Sequence, residues 1–250
     1  MNATVIEHVP TLAIRYLERA RELGIDLSGI KVAGDGESLS QSYKRKIEAR
    51  YGITFLPEVY AGVELRTAAF QCEEHNGLHI YEDHIIEIID PETGQVLDAG
   101  QEGEIVATSL VTDCTPMIRW RPGDIASLLP YEPCPCGRTL PRMSYPVKGK
   151  LAFAVKVKGK RIFPIDVEEV LAKIPDLGDE FQMIRQKPQE QEILKVKAEH
   201  IPETKDLHAL KARVEDALGQ EFGVDAEVEL VPMGSIGRAL FKAQRVINAF

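Results

Sequence analysis

Apolar residues recur at helical spacing after Pro10, at Leu12, Ile14, Leu17, Ala20 and Leu23, and the run stops at Gly24. Proline at the start and glycine past the end predict an amphipathic helix of about three to four turns. A short apolar run at 30–33 predicts a buried strand, 40–51 a second helix closed by Gly52, and 53–60 another strand. Helices alternating with apolar strands indicate a parallel α/β layer, of which this stretch supplies only the end. From 77 to 129 the spacing shortens to strands at 85–89, 103–110 and 125–129, punctuated by the turn residues Pro91-Glu92-Thr93-Gly94. A small β subdomain at about 77–147 is expected.

The stretch 130–146 holds five prolines and two cysteines, and a Lys/Gly-rich segment follows it, so a domain boundary is placed near 150. Beyond it the pattern predicts a strand at 154–158, a helix after Pro164, strands at 181–185 and 192–198, a helix at 205–222 and a strand at 226–231. The order β-α-β-β-α-β suggests a ferredoxin-like α+β domain over 151–250. The expected fold class is therefore α/β and α+β: the end of a large α/β domain with its β subdomain over 1–150, then a small α+β domain. No repeat or low-complexity tract interrupts it.

With 250 residues, 27.8 kDa and 44% hydrophobic residues, the chain is long enough for one large or two modest cores. A net charge of -9 and a pI near 5.3 argue against a nucleic-acid partner, which requires a dominant basic field. No apolar run approaches the roughly 20 residues of a membrane span, and the N-terminus lacks the order of a signal peptide. A cytoplasmic protein that binds neither membrane nor nucleic acid is expected. Four cysteines in such a chain do not suggest a disulfide framework.

Several segments carry chemistry. Asp124 ends Arg119-Trp120-Arg121-Pro122-Gly123-Asp124, just before a predicted strand. A carboxylate at a strand mouth accepts hydrogen bonds from both ribose hydroxyls of a nucleotide; the same segment alone also reads as a turn with an exposed acid. Cys134 and Cys136 form a tight pair in a turn, with Cys72 and His79 upstream. Three thiolates and an imidazole complete a closed tetrahedral zinc site of structural type. Reduced, partly buried cysteines are the other reading, and His75 and His84 compete as the fourth ligand. Cys114 stands alone beside Asp113, with no base to make it a nucleophile.

Taken in order, Tyr60-Ala61-Gly62-Val63-Glu64, the segment ending at Asp124, 149–164, and the glycine-rich tail from Gly234 through Lys242 resemble motifs from the second half of adenylate-forming enzymes, above all the phenylacetate–CoA ligase branch. The resemblance covers nearly the whole chain. It implies ATP or AMP held at the ribose by Asp124, with Tyr60 stacking near adenine, Glu64 helping to hold Mg²⁺, and the Gly36-Glu37 turn lining the adenine and acyl pocket. Arg121 and Lys150 fall at nucleotide-contacting places, and Lys242 is the expected catalytic lysine, its point charge set between the attacking carboxylate and the α-phosphate. Some relatives carry the Cys72, His79, Cys134 and Cys136 arrangement.

The departures are specific. Val63 stands in the threonine position, Pro122 replaces a threonine, Lys150 replaces an arginine, Ala152 replaces the polar hinge residue, and Ala239-Leu240-Phe241 replaces Ser-Glu-Gly. The resemblance implies adenylation of a small aromatic or acyl carboxylate, then thiolysis by coenzyme A. The family's phosphate loop has no counterpart in residues 1–40, so a complementing N-terminal-half polypeptide or further sequence is expected to supply it; a homodimer is compatible with this. A noncatalytic nucleotide- and acyl-binding subunit or regulator is the alternative.

Overall fold

Strand β1 (Val5–His8), helix α1 (Pro10–Glu22), strand β2 (Lys31–Gly34), helix α2 (Gln41–Tyr51) and strand β3 (Thr54–Phe55) open the computed structural model, which describes residues 3–112, 114–239 and 242–250. The three strands run parallel in the order β1-β2-β3. Pro10 starts α1 where a missing N–H costs nothing, and Glu37 accepts a hydrogen bond from the orphan Thr11 N–H at 3.0 Å. The buried stripe is Ala13, Ile14, Leu17 and Ala20, while Leu23 lies past the helix end and is exposed.

The strand expected over 53–60 is broken by Pro57, which cannot donate to a ladder. β3 ends at Phe55, and strand β4 (Val59–Gly62) begins an antiparallel arrangement instead. It continues through β5 (Arg66–Gln71), β6 (Leu78–Ile80), β7 (His84–Ile89), β8 (Glu102–Ser109), β9 (Asp124–Ser127), β10 (Arg142–Met143) and β11 (Gly149–Lys150). Among the described residues these form two sheets, β10-β6-β5-β4 and β11-β9-β8-β7. Their shared core includes Leu78, Ile80, Ile86, Ile88, Ile105, Ala107, Ala126 and Met143. β5, β6 and β10 were not anticipated: β6 and β10 are only three and two residues long and buried throughout, and the six residues of β5 show no alternation, with Ala68 and Ala69 buried side by side. Gly77 has φ +82°, and a Cβ there would lie 2.7 Å from the Met143 carbonyl oxygen, so only glycine lets this loop close on β10.

After a 3-10 turn at Leu151–Phe153 come β12 (Val155–Val157), β13 (Lys160–Ile162), α3 (Pro164–Leu171), β14 (Leu177–Arg185), β15 (Leu194–His200), α4 (Leu207–Phe222), β16 (Ala226–Pro232) and β17 (Val246–Asn248). The four-stranded sheet runs β16-β15-β14-β17, and only its β14–β15 pair is antiparallel. The strand ahead of α3 is not in this sheet. It pairs with β13 across Lys158-Gly159, both at positive φ, the conformation of a two-residue hairpin turn, and β17 takes the place beside β14. Val167, Val170, Leu171, Leu210, Val214 and Leu218 from the two helices cover Met183, Leu194 and Val196 of the sheet. α4 has Asp206 as its N-cap, accepting from Ala209 N–H at 2.9 Å, and Gly223 in the left-handed region after it.

The chain divides into two compact units, one comprising residues through Ser38 with Tyr51–Ala152, the other Leu39–Arg50 with Phe153–Phe250. Most of α2 thus belongs to the second unit, and charge explains why. The Ser40 and Ser42 backbone N–H groups, orphans at a helix start, donate to Glu168 and Glu169 at 2.7 and 2.8 Å. Further along the helix, Lys46 and Arg50 pair with Asp179. Among the described residues no helix is long and apolar enough to cross a membrane.

Candidate functional site

Strand register puts Asp124 at the centre of the first unit's polar cluster. β9 and β11 pair with Lys150 directly opposite Asp124, and the Lys150 ammonium donates to Asp124 Oδ2 at 3.0 Å and to the Pro122 carbonyl at 2.8 Å. The Tyr60 hydroxyl, from β4, donates to the same Oδ2 at 3.0 Å. Burial pushes the Tyr60 phenol well above its ordinary range, and the charge of Asp124 adds to the rise, so the hydroxyl stays a donor. Two donors on one oxygen fix the plane of a carboxylate whose side chain is only 15% exposed.

The other expected residues fall in different places. Glu64 is exposed at the end of the β4 turn, close enough for its charge to raise the Tyr60 phenol further, and Val63 is fully exposed. Gly36 takes the left-handed conformation in the turn after β2, and the Glu37 carboxylate accepts from both Thr11 N–H and Thr11 Oγ1. Arg121 is turned toward β8: its guanidinium binds the buried Glu104 through Nε and NH2, and the Pro91 carbonyl at 3.3 Å. Glu104 was missed by sequence reasoning. It sits in an apolar strand, and a buried acid there signals a cationic partner.

Cys72 follows β5, His79 lies in β6, and Cys134 and Cys136 stand in a turn closed by a Gly137 N–H to Cys134 carbonyl bond of 2.9 Å. The β6–β10 pairing, His79 opposite Arg142, brings that turn back over β6. One ligand atom from each of the four residues lies within 4.8 Å of the others. Cys72 and Cys134 Sγ are 3.7 Å apart, and Cys136 Sγ is 3.6 Å from His79 Nε2. Burial pushes the Cys72 thiol up to about 11. Burial raises Cys136 too, but the Arg138 backbone and side chain, with Cys134 and Cys72, outweigh it and bring the thiol down to about 7. His75 and His84 are not in the cluster; His84 bonds Asp83 and the Leu65 carbonyl instead. Cys114 is exposed, and its neighbour Asp113 lies outside the described residues.

Lys242 is exposed on the loop between β16 and β17, in the second unit. Leu240 and Phe241, where the sequence departs from the family's lysine loop, lie outside the described residues. The loop is approached by two acids that sequence reading passed over, Glu180 and Glu199. Alternation along β15 puts Glu199 on the same face as Lys195 and Lys197, which pair across the register with Glu227 and Glu229 and suggest a solvated face. The turn after β16 covers that position, and Glu199 is fully buried.

The antiparallel sheet that carries the Asp124 cluster is followed along the chain by an α+β unit that carries Lys242, and comparisons with known proteins match both parts. Residues 159–249 match the family described as AMP-binding enzyme C-terminal domain. The phenylacetate-coenzyme A ligase of Aromatoleum evansii is 32% identical across 98% of this chain and 57% of its own length. That of Escherichia coli strain K12 is 31% identical, across 96% and 56%. Among solved structures, 2-hydroxyisobutyryl-CoA ligase in the postadenylation state, in complex with R3-HIB-AMP, superposes with a TM-score of 0.87 at 25% identity, over 98% of this chain and 54% of that one. An anthranilate CoA ligase complexed with anthranoyl-AMP shares the fold, with a TM-score of 0.66 at 18% identity over 97% of this chain and 48% of that one. The chain matches part of the phenylacetate–CoA ligases along nearly its whole length, and it spans somewhat more than half the length of these curated relatives.

Proposed function

We propose that this chain is the back half of an AMP-forming carboxylate–CoA ligase acting on a small aromatic or acyl carboxylate in the cytoplasm. The observation that carries this reading is the shared grip of Tyr60 and Lys150 on Asp124 Oδ2. A carboxylate so oriented receives both ribose hydroxyls of ATP or AMP, with the Tyr60 ring beside the adenine and the Gly36-Glu37 turn lining the base. Arg121 contributes as the anchor that ties the segment before Asp124 to β8. In the first step a substrate carboxylate oxygen attacks the α-phosphorus of ATP and pyrophosphate leaves. In the second the coenzyme A thiol attacks the acyl carbon, releasing AMP and losing its proton to solvent. Lys242 offsets the charge gathering on the first transition state. Mg²⁺, a hard cation suited to the exposed Glu64 carboxylate, neutralises phosphate charge when bound. The phosphate loop comes from further sequence or a second polypeptide.

We propose also that Cys72, His79, Cys134 and Cys136 hold a structural zinc ion. With Zn–S of about 2.3 Å and Zn–N of about 2.0–2.1 Å, a tetrahedron has S···S edges of about 3.8 Å and S···N edges of about 3.6 Å. The separations of 3.7 and 3.6 Å fit those edges, and four protein ligands leave no position for a substrate. One zinc per chain by elemental analysis, lost in Cys134→Ser, supports the site; a chain that takes up no zinc on titration overturns it.

The ligase reading is tested by phenylacetate-dependent pyrophosphate release, measured with the chain alone and with the N-terminal half of the Escherichia coli relative added. Release abolished by Lys242→Ala while AMP binding persists supports the ligase. AMP binding that survives Asp124→Ala overturns the nucleotide site. AMP binding without release in either mixture favours a noncatalytic nucleotide-binding subunit.

A further inference from the structure

Lys242 has Arg238 four residues before it and Arg245 three after it. One carboxylate joins the two. Glu180, in β14, accepts from Arg238 at Oε1 (2.9 Å) and from Arg245 at Oε2 (2.5 Å). The bridge is partly withdrawn from water, with the Glu180 and Arg245 side chains 12% and 11% exposed, so solvent screens it less than a surface pair. Arg245 is held in two further ways. Its guanidinium lies 4.6 Å over the Phe181 ring, and its carbonyl accepts from Met183 N–H at 2.7 Å, where β17 begins beside β14. At the loop's other end, Glu199 Oε1 accepts from the backbone N–H groups of Gly234 and Ile236 at 2.9 and 2.8 Å. Glu199 faces Val231 in register, so no cation lies opposite it and the turn supplies its donors.

A lysine that must meet a reacting phosphate needs a defined reach, and a long loop gives it none. Bridging Arg238 and Arg245 through Glu180 ties the chain on both sides of Lys242 to β14 before any substrate arrives. We propose that Glu180 is a positioning residue for Lys242: by bridging Arg238 and Arg245 it closes the neck of the lysine loop, and Glu199 pins the loop's start to β15. This inference rests on the adenylation role of Lys242 proposed above.

The test compares Glu180→Gln with the chain itself and with Glu229→Gln, a control that removes an exposed ion pair on the same sheet. Glu180→Gln keeps the shape but lacks the charge that holds both arginines; if it fails to fold, Arg238→Lys gives the same readout with the fold's charge intact. Amide exchange of 234–245 is expected to rise about tenfold or more in the variant, with β14 and β15 still protected. In the assay supplied with the upstream half, pyrophosphate release is expected to fall about tenfold to hundredfold at unchanged KM for ATP. In a Lys242→Ala background Glu180→Gln is expected to add nothing. Unchanged loop exchange overturns the clamp, and so does a loss of release that persists additively without Lys242. If Lys242→Ala leaves release intact, the adenylation role of the lysine falls, and the clamp is then decided by the exchange measurement.

Discussion

The two units hold their chemistry-bearing groups in place by different means. In the first, Asp124 and Lys150 are opposite each other because β9 and β11 pair in that register, and backbone hydrogen bonds set both Cα atoms before any side chain is considered. In the second, Lys242 rides on a loop whose ends are secured by Glu180 and Glu199, residues distant from it in sequence. A ladder resists local change, since several bonds must break together to shift one residue. A loop tied by side-chain carboxylates loses a whole tie to one substitution. The first unit should therefore be disturbed mainly by removing what folds it, and the second by single charge-neutral substitutions.

The largest expected effect comes from the Cys72, His79, Cys134 and Cys136 cluster, which with the proposed zinc bound ties β6 to the turn before β10. Chelation or Cys134→Ser is expected to destabilise the first unit by on the order of 5 kcal/mol, part of the roughly 10–16 kcal/mol that zinc supplies to small zinc domains. Amide exchange should rise across β5, β6 and β10 and remain unchanged in β14–β16. Because the ligands bind deprotonated, acidification should release the metal and mimic the variant. Exchange rising equally in both units would mean that they do not respond separately, and the comparison would fail.

Asp179 offers the next test, within the second unit. Its side chain is 4% exposed, and it receives Lys46 and Arg50 from α2. Burial alone would raise its carboxyl, but Arg50 and Lys46 outweigh burial and hold it below the usual carboxylate range. A depressed folded value means that the stabilisation is fully present above the unfolded value of about 3.9 and is lost as pH falls through the folded one. Asp179→Asn is expected to cost about 2 kcal/mol at pH 7, less than a wholly buried pair because the two cations are partly solvated. The difference between variant and parent should shrink toward pH 2–3 (approximately) in urea unfolding. A difference that stays constant down that range would assign the loss to packing instead.

How far the sequence could be read follows the same division. α1, α2, α4, β14, β15 and β16 were legible because each has a period or an end signal, such as Pro10, Gly24, Gly52 and the alternation in β15, whereas the three-residue strands β13 and β17 were not anticipated. β6 and β10 were not, since a two- or three-residue strand buried on both faces has no period to read, and β5 was not because its buried residues Ala68 and Ala69 are adjacent and break the alternation. The place of β12 outside the main sheet was equally hidden, because it turns on two positive-φ residues, one of them Lys158. Around the site, Asp124, Tyr60 and Lys150 were read from motif order and meet in space, and the four thiolate-cluster residues converge likewise. Glu180, Glu199 and Glu104 were invisible, since a glutamate in a strand announces nothing until the element covering it is known. Arg121 was placed with the nucleotide contacts, and its side chain is engaged by Glu104.

The smallest effect is expected at Tyr60, and it separates orientation from burial. Tyr60→Phe keeps the ring against its neighbours and removes one of the two donors to Asp124 Oδ2, leaving Lys150 in place. Losing one hydrogen bond to a carboxylate that keeps another donor should cost about 1 kcal/mol, or roughly fivefold in AMP affinity by calorimetry, with little change in the unfolding midpoint. Lys150→Met alone should do about as much. The two together should cost more than their sum, because the first loss leaves the carboxylate held and the second leaves it unheld. Strict additivity would mean that β9 alone orients Asp124, which would carry the contrast with the lysine loop further: in the first unit the ladder would position the reactive group without help from any side chain.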